Sequence, residues 1–396
     1  MSAADRARPI TIIGAGIGGL TAALALADRG FAVEIFERAP QMQEVGAGLQ
    51  LSPNALRVLG RLGLMKDLLV HGTRAREVIL RRAFTGRPIA SVPVVASDGM
   101  PYVSIHRADL QAVLLRAVDR SPAITLHLGA TLQALTPARG GLDLWFISGE
   151  GRHRLQASLV VGADGVRSSI ARRLGLAAAT PSGAIAWRGY VSRDNGGGPP
   201  PGITAWLGPR RHAVAYPISG GRETNLVLIE PMKRTTLADP AGLAYRFRSW
   251  DRQLTSMIAA AGDMTGWPLN VVPPDRPWRH LDDRLILIGD AAHAMLPYAA
   301  QGAGMAIEDA AVLADALARA PSRSAALAHY EAERRPRIAK VRRRVAFHQR
   351  VYHLPWPLNL ARDAALSLRS PDSLRDELSW LYDWSPPADS EDSETI

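Results

Sequence analysis

Gly14, Gly16 and Gly19 stand in G-x-G-x-x-G spacing within "GAGIGG", directly after the apolar run "PITII". This spacing suits a dinucleotide. The first glycine permits a tight turn, the second lets backbone approach a pyrophosphate, and the third lets a helix pack closely on a strand. A helix opening there aims free N–H groups at phosphate charge, so Gly14, Ala15, Gly16 and Gly19 are candidate cofactor contacts. A merely structural turn is the plainer alternative. The strand before, the helix after and an acid ending the next strand favour a ligand. That acid, Glu37 in "FAVEIFER", sits where a carboxylate accepts hydrogen bonds from an adenosine ribose. It favours an unphosphorylated ribose, as in FAD or NAD, and Arg38 follows it.

Two later stretches repeat the strand-to-turn pattern. "VVGADGVRSS" (160–169) carries Asp164-Gly165 at its apex, and "LIGDAAHAMLPYAAQGAGMAIEDA" (287–310) puts Asp290 at the end of a buried-type strand. A simple dehydrogenase needs one such turn. Three imply a longer ligand lying across the edge of a sheet.

The elements that must position these turns follow from periodicity. Residues 9–16 read as a short strand, 17–30 as a small-residue helix closed by Gly30, and 31–38 as a parallel strand. Leu110, Val113, Leu114 and Ala117 give 106–120 an amphipathic helical pattern, and 142–149 and 157–165 read as strands. Alternation through 180–275 suits a mostly antiparallel sheet. Residues 284–290 return to buried-strand character, with helices at 303–319 and about 323–352, the latter interrupted near Pro336. The expected fold class is α/β: a Rossmann-like cofactor domain with an inserted, mostly antiparallel substrate sheet and C-terminal helices. The cofactor domain would take 1–75, 100–178 and 280–350, and the substrate domain 76–99 and 179–279. Residues 351–396 would form a helical segment ending in a disordered acidic tail, "DSEDSETI".

Composition narrows the class further. The chain has 396 residues and no cysteine, which removes disulfides, thiolate metal sites and cysteine nucleophiles. No metal-ligand spacing and no G-x-S-x-G elbow is present. No 18-residue apolar run and no secretory pattern is visible, so the reading is cytoplasmic, without stable membrane association. Much of the net charge of +10 sits in "RRPRIAKVRRRVAFHQR" (334–350). A nucleic-acid surface would need stacking aromatics there, and only Phe347 is present. A solvated helix face is the simpler reading, with no nucleic acid as partner.

At this point the sequence resembles the class A flavoprotein aromatic hydroxylases, in the salicylate hydroxylase and 3-hydroxybenzoate 6-hydroxylase branch. The resemblance runs from about residue 9 to 350. It rests on the glycine turn with Glu37-Arg38, "IHRADL" (105–110), "GADGVRSS", "GDAAHAMLPYAAQGAGMAIEDA" and "YEAERRPR" (330–337), with "WLYDW" (380–384) beyond. It implies FAD as cofactor, NADH or NADPH as transient co-substrate, O2, and a small aromatic acid as substrate. O2 would add at flavin C4a, and its distal oxygen would pass to a phenolic or hydroxylated heteroaromatic acid. The resemblance also implies that Asp290 binds the ribityl chain, that Arg107 lies near the phosphates, and that Asp164 contacts FAD. Gln50 and Pro297 would flank the flavin. The helix opening at Gly302-Ala303 would face the pyrimidine end, its N-terminus favouring an anionic reduced flavin. Members often carry an arginine seven residues after the D-G aspartate. Here Ala171 holds that place and Arg172 follows, so the manner of nicotinamide binding is open.

For the reaction itself, alternation along "GPRRHAVAYPI" puts His212, Val214 and Tyr216 on one strand face. The resemblance makes His212 the candidate base that removes a phenol proton, Tyr216 a relay or substrate partner, and Gln301 a group orienting substrate or peroxide. His293 reads as motif scaffold, and Trp187, Trp206, Trp267 and Trp278 as packing. Another flavin enzyme on this scaffold, an oxidase or halogenase, is the alternative. A halogenase needs a lysine beside the flavin, and Lys66, Lys233 and Lys340 stand in no recognisable motif. A basic nucleic-acid or membrane-binding protein is the remoter one. Monomer and homodimer are both compatible with the sequence.

Overall fold

The computed structural model describes residues 8–42, 47–149, 151–192, 202–232 and 242–386. The acidic tail and Lys233 lie outside the described residues. While Gly141–Ser148 joins a separate three-stranded sheet, four of the stretches predicted as strands, with the unpredicted Ile124–His127 and Arg279–His280, assemble into a six-stranded one. Its order is Arg279–His280, Leu285–Leu287, Val160–Gly162, Ile10–Ile13, Val33–Phe36, Ile124–His127. All pairs are parallel except the first, which is antiparallel. The helix Ile17–Asp28 is rich in alanine and glycine, so the helix Gly302–Arg319 packs closely along it.

A second sheet of seven strands forms the other layer. Its order is Thr265–Val271, Thr180–Ser192, Glu223–Pro231, Arg211–Ile218, Ile203–Gly208, Glu77–Arg82, Pro88–Pro93. Its pairs are antiparallel except Ile203–Gly208 with Glu77–Arg82, which run parallel. Side chains alternate between two cores. Ala186, Tyr216, Ile218 and Ile229 face the cofactor-type sheet and join the main core. Trp187, Trp206, Leu226 and Leu228 face away, under helices Leu243–Phe247 and Arg252–Ala260.

Several elements differ from the sequence expectation. Residues 157–165 do not form one strand; Gly151–Ala157 ends a hairpin before Val160–Gly162 joins the parallel sheet. The long helix Arg323–Tyr352 runs through Pro336 without interruption. Arg334 and Arg337, on either side of the proline, are both held by Glu308 of the neighbouring helix, which offsets the missing hydrogen bond. Trp187, Trp206 and Trp278 are buried, but Trp267 lies on an edge strand and is 46% exposed.

A Cβ at position 19 would come within 1.9 Å of the Gly14 carbonyl oxygen. Both are backbone atoms of the same tight turn and cannot rotate away. Gly19→Ala is expected to cost about 3 kcal/mol in urea unfolding, at the upper end of overpacking penalties.

Candidate active site

Ile13, Gly162 and Leu287 lie side by side in the parallel sheet. The glycine turn and the two aspartate turns therefore leave three adjacent strands at one edge, where open parallel sheets bind ligands. A Cβ at Gly14 would approach the Ala163 carbonyl to 2.6 Å, so the first two turns touch through backbone. Gly16, by contrast, has open space beside it at the N-terminus of the helix Ile17–Asp28. Glu37 braces this turn: one carboxylate oxygen accepts from Ala15 N–H at 2.8 Å, the other from Ala39 N–H at 3.0 Å. Arg38 is exposed beside it.

Asp164 has a divided role. Its Oδ2 accepts from Ser169 N–H at 2.6 Å, Ser169 Oγ at 3.0 Å and Ile170 N–H at 3.1 Å, capping the helix Ser169–Arg173. Its Oδ1 is buried without a partner. Asp290 is exposed at the third turn, and its carboxylate makes no hydrogen bond among the described residues. Arg107 opens the helix Arg107–Asp119 and reaches the same region. The residue is exposed, although protein packs around its charged end. Burial of its surroundings pulls its pKa down, Asp290 opposes that, and Arg188 adds to it. That combination describes a cleft lined by a cation and an acid.

The third turn is held from behind. Gly289 has φ 57° and ψ −140°, a conformation that favours glycine. Its N–H donates to Asp309 Oδ2 at 2.8 Å, and His293 Nε2 meets the same oxygen at 2.6 Å. His293 is thus a buried brace. Asp309 Oδ1 accepts from Arg334 Nε at 2.8 Å, and Arg334 also pairs with Glu308; all three are fully buried. Burial works to raise the Asp309 pKa, but the charges of His293 and Arg334 and the hydrogen bonds hold it far below the carboxylate range. Glu308 accepts in turn from Asn54 Nδ2 at 2.6 Å. Asn54 reaches Gln301, whose Nε2 donates to Ser52 Oγ at 3.0 Å. Gln301 is therefore brought to the start of the helix Gly302–Arg319, but its amide is taken up in bracing the helix start. Gly302 and Ala303 are half-buried there, and Pro297 opens the single turn Pro297–Ala299.

On the facing sheet, His212 and Tyr216 are buried and point inward together. His212 Nδ1 lies 2.9 Å from His353 Nε2, and its ring is boxed by Tyr298 and Tyr352. Burial, then the nearby His353 and His348, lower its pKa, so the imidazole is neutral at pH 7. Tyr216 packs against Gly48 and its hydroxyl is raised well above its ordinary pKa by burial. Gln50 accepts from the Tyr102 hydroxyl at 2.8 Å. Arg188 stands between Arg107 and Tyr216, close enough to influence both, and its Nε is buried without a partner. Sequence reasoning missed Arg188, Asp309, Arg334 and His353. Asp309 and Arg334 lie inside quoted motifs; Arg188 and His353 carry no local signal.

A family model described as the FAD binding domain matches residues 8–242 and 254–345. The chain belongs to this FAD-binding family. Its similarity extends to the 3-amino-4-hydroxybenzoate 2-monooxygenase of Streptomyces cremeus, 37% identical over 96% of this chain and 95% of that protein. It extends also to 3-hydroxybenzoate 6-hydroxylase 1 of Aquipseudomonas alcaligenes, 32% identical over 94% and 97%. Klebsiella pneumoniae HpxO, solved with FAD and uric acid, shares the fold at a TM-score of 0.83 and 23% identity, covering 96% of this chain and 98% of that one. The chain is thus a flavoprotein monooxygenase of the aromatic-hydroxylase class. Its site fits FAD: Gly16 leaves room for the pyrophosphate, Asp290 has free acceptors for ribityl hydroxyls, and Asp164 Oδ1 awaits a donor.

Asp290→Asn is expected to weaken FAD binding by about tenfold to a hundredfold, the loss of hydrogen bonds to a charged acceptor. Flavin fluorescence titration measures it. Because Asp290 is exposed, urea unfolding of the flavin-free protein should move by less than about 0.5 kcal/mol.

The histidine cluster makes stability depend on pH. Burial, then Arg362, lowers His353 to about 4; burial, then Arg344, lowers His348 to about 4. The unfolded chain takes up these protons near pH 6.5 and the folded chain does not. Stability is therefore full above about pH 6.5 and falls as pH drops toward 4. Urea midpoints at several pH values check this, and His348→Phe should flatten the decline.

Proposed function

We propose that the protein hydroxylates a phenolic or hydroxylated heteroaromatic acid, with NADH or NADPH as electron donor and O2 as oxidant. The observation that carries this reading is Arg188. A buried, unpartnered guanidinium nitrogen between the Arg107 cleft and Tyr216 asks for an anion. An aromatic carboxylate supplies one, and a planar carboxylate matches the guanidinium fork. The names of the relatives, which act on 3-amino-4-hydroxybenzoate and 3-hydroxybenzoate, support the same substrate class.

Bound FAD supplies the redox chemistry, accepting hydride and activating O2. The chain supplies the rest. Gly14 to Gly19, Glu37 and Asp164 position the dinucleotide, and Asp290 and Arg107 hold its central part. Arg188 anchors the carboxylate and turns the ring toward Tyr216 and His212. His212 Nε2, which makes no hydrogen bond among the described residues, accepts the phenol proton. That leaves an electron-rich ring for electrophilic attack. The inner core around Ile218, Ile229 and Val214 excludes water.

An oxidase on the same scaffold would consume the reductant without oxygen transfer. The experiment that decides is a screen of hydroxylated aromatic acids for stimulated NADH and NADPH consumption, with mass measurement of product. One acid should stimulate consumption and gain one oxygen atom. Arg188→Met should raise its KM by about tenfold or more, the value of a charge-assisted pair. His212→Asn should lower kcat by about a hundredfold. Consumption that no aromatic acid stimulates overturns the proposal.

A further inference from the structure

His212 alone is a poor place to leave a proton. It is 2% exposed, and everything packed on it disfavours a lasting positive charge. Those neighbours are His353 and His348 at the end of the long helix, Tyr352 beside them, and Tyr298 on the turn Pro297–Ala299. Tyr298 and Tyr352 stay protonated, raised to about 12 by burial. Arg362 faces His353; Arg344 and Glu377 face His348. No carboxylate touches the His212 ring to stabilise an imidazolium among the described residues.

One contact offers an exit. His212 Nδ1 lies 2.9 Å from His353 Nε2, and His353 itself is only half-buried. The pair is clasped at a second point: Arg210 N–H, in the hairpin before His212, donates to the His353 carbonyl at 3.2 Å. His348 is committed elsewhere, since its Nδ1 sits 3.0 Å from the Tyr298 carbonyl, which can only accept. His353 Nδ1, in contrast, makes no hydrogen bond among the described residues.

Resting on the reading of His212 as base, we propose that His353 is the second member of a two-imidazole relay that carries the phenol proton from the buried site to solvent. In the resting pair, His212 Nδ1–H donates to His353 Nε2, leaving His212 Nε2 as acceptor. When substrate ionises, its O–H bond breaks and an N–H bond forms at His212 Nε2. The His212 Nδ1 proton passes to His353 Nε2, and the His353 Nδ1 proton leaves to water. One proton enters, one leaves, and both rings end neutral in the opposite tautomer. Protonation of the product runs the sequence backwards and resets it. A relay of this kind needs no stable imidazolium, which is what the apolar surroundings require.

The test uses the FAD-loaded protein with 3-amino-4-hydroxybenzoate or 3-hydroxybenzoate, whichever the wild type hydroxylates. A stopped-flow pH jump follows phenolate absorbance of the bound acid. His353→Gln keeps a hydrogen-bonding group toward His212 but cannot pass a proton through. It should slow ionisation at least about tenfold, shift the pH profile of kcat and leave KM within about twofold. Added imidazole should partly restore the rate. Unchanged ionisation and an unchanged pH profile overturn the relay and leave the hydroxylase reading standing. Wild-type protein stimulated by no aromatic acid overturns that reading instead. Should His353→Gln fail to fold, a proton inventory on the wild type decides. More than one proton in flight gives a curved dependence of the ionisation rate on D2O fraction, and a straight line overturns the relay.

Discussion

Two acids side by side on one helix, Glu308 and Asp309, share the guanidinium of Arg334 with no solvent contact. Burying three charges is expensive, and a well-packed apolar trio of equal volume is often no less stable. The arrangement is explained by what hangs from it. Asp309 fixes the Gly289 N–H and His293, and hence the turn that presents Asp290. Glu308 fixes Asn54, and through it Ser52 and Gln301 at the start of the same helix. It also holds Arg337, which donates to the Trp380 and Leu381 carbonyls of the last helix, Pro371–Tyr382. Directional bonds to all four carboxylate oxygens impose one geometry on segments that apolar contact alone would let slide.

The facing sheet works by the opposite device. Its inner surface puts neutral polar groups, His212, Tyr216 and Asn225, among aliphatic side chains. Asn225 accepts from Gly48 N–H at 2.8 Å, so the sheet is stitched to the strand Gly48–Leu51 that carries Gln50. Among the described residues, charged groups join these neutral ones only near Arg188, with Glu223 by Tyr190 and with Arg107 and Asp290 across the cleft.

How much of this was legible depended on whether the signal was local. The glycine spacing, the acid at Glu37 and the two aspartate turns each express a strand-to-helix transition over a few residues. Their positions emerged as read, and register then brought them to one edge. The alternation that put His212 and Tyr216 on one face also held, because a two-residue period is local. Functions of single side chains were less accessible. Gln301 read as a substrate contact, and its amide is spent on Ser52 and Asn54, some 250 positions earlier. Pro336 read as a break, and ion pairs from another helix carry the chain across it. His353 was invisible, since its partner lies 141 residues away. Contacts of that reach are set by topology, which no window of residues encodes.

The sheet order has a consequence for how the molecule comes into being. Of the three strands at the cofactor edge, Ile10–Ile13 is made long before its neighbour Val160–Gly162, and Leu285–Leu287 follows later still. Arg334, which locks the last turn, follows later still. During synthesis the early strand–helix–strand unit thus waits with one side of its sheet open until Val160–Gly162 is made, and that strand waits in turn for Leu285–Leu287. Distant pairing of this kind is slow and leaves apolar edges exposed meanwhile. Flavin can find its full set of partners only once Asp290 and the helices that brace its turn have been made, so cofactor capture follows the assembly of this sheet.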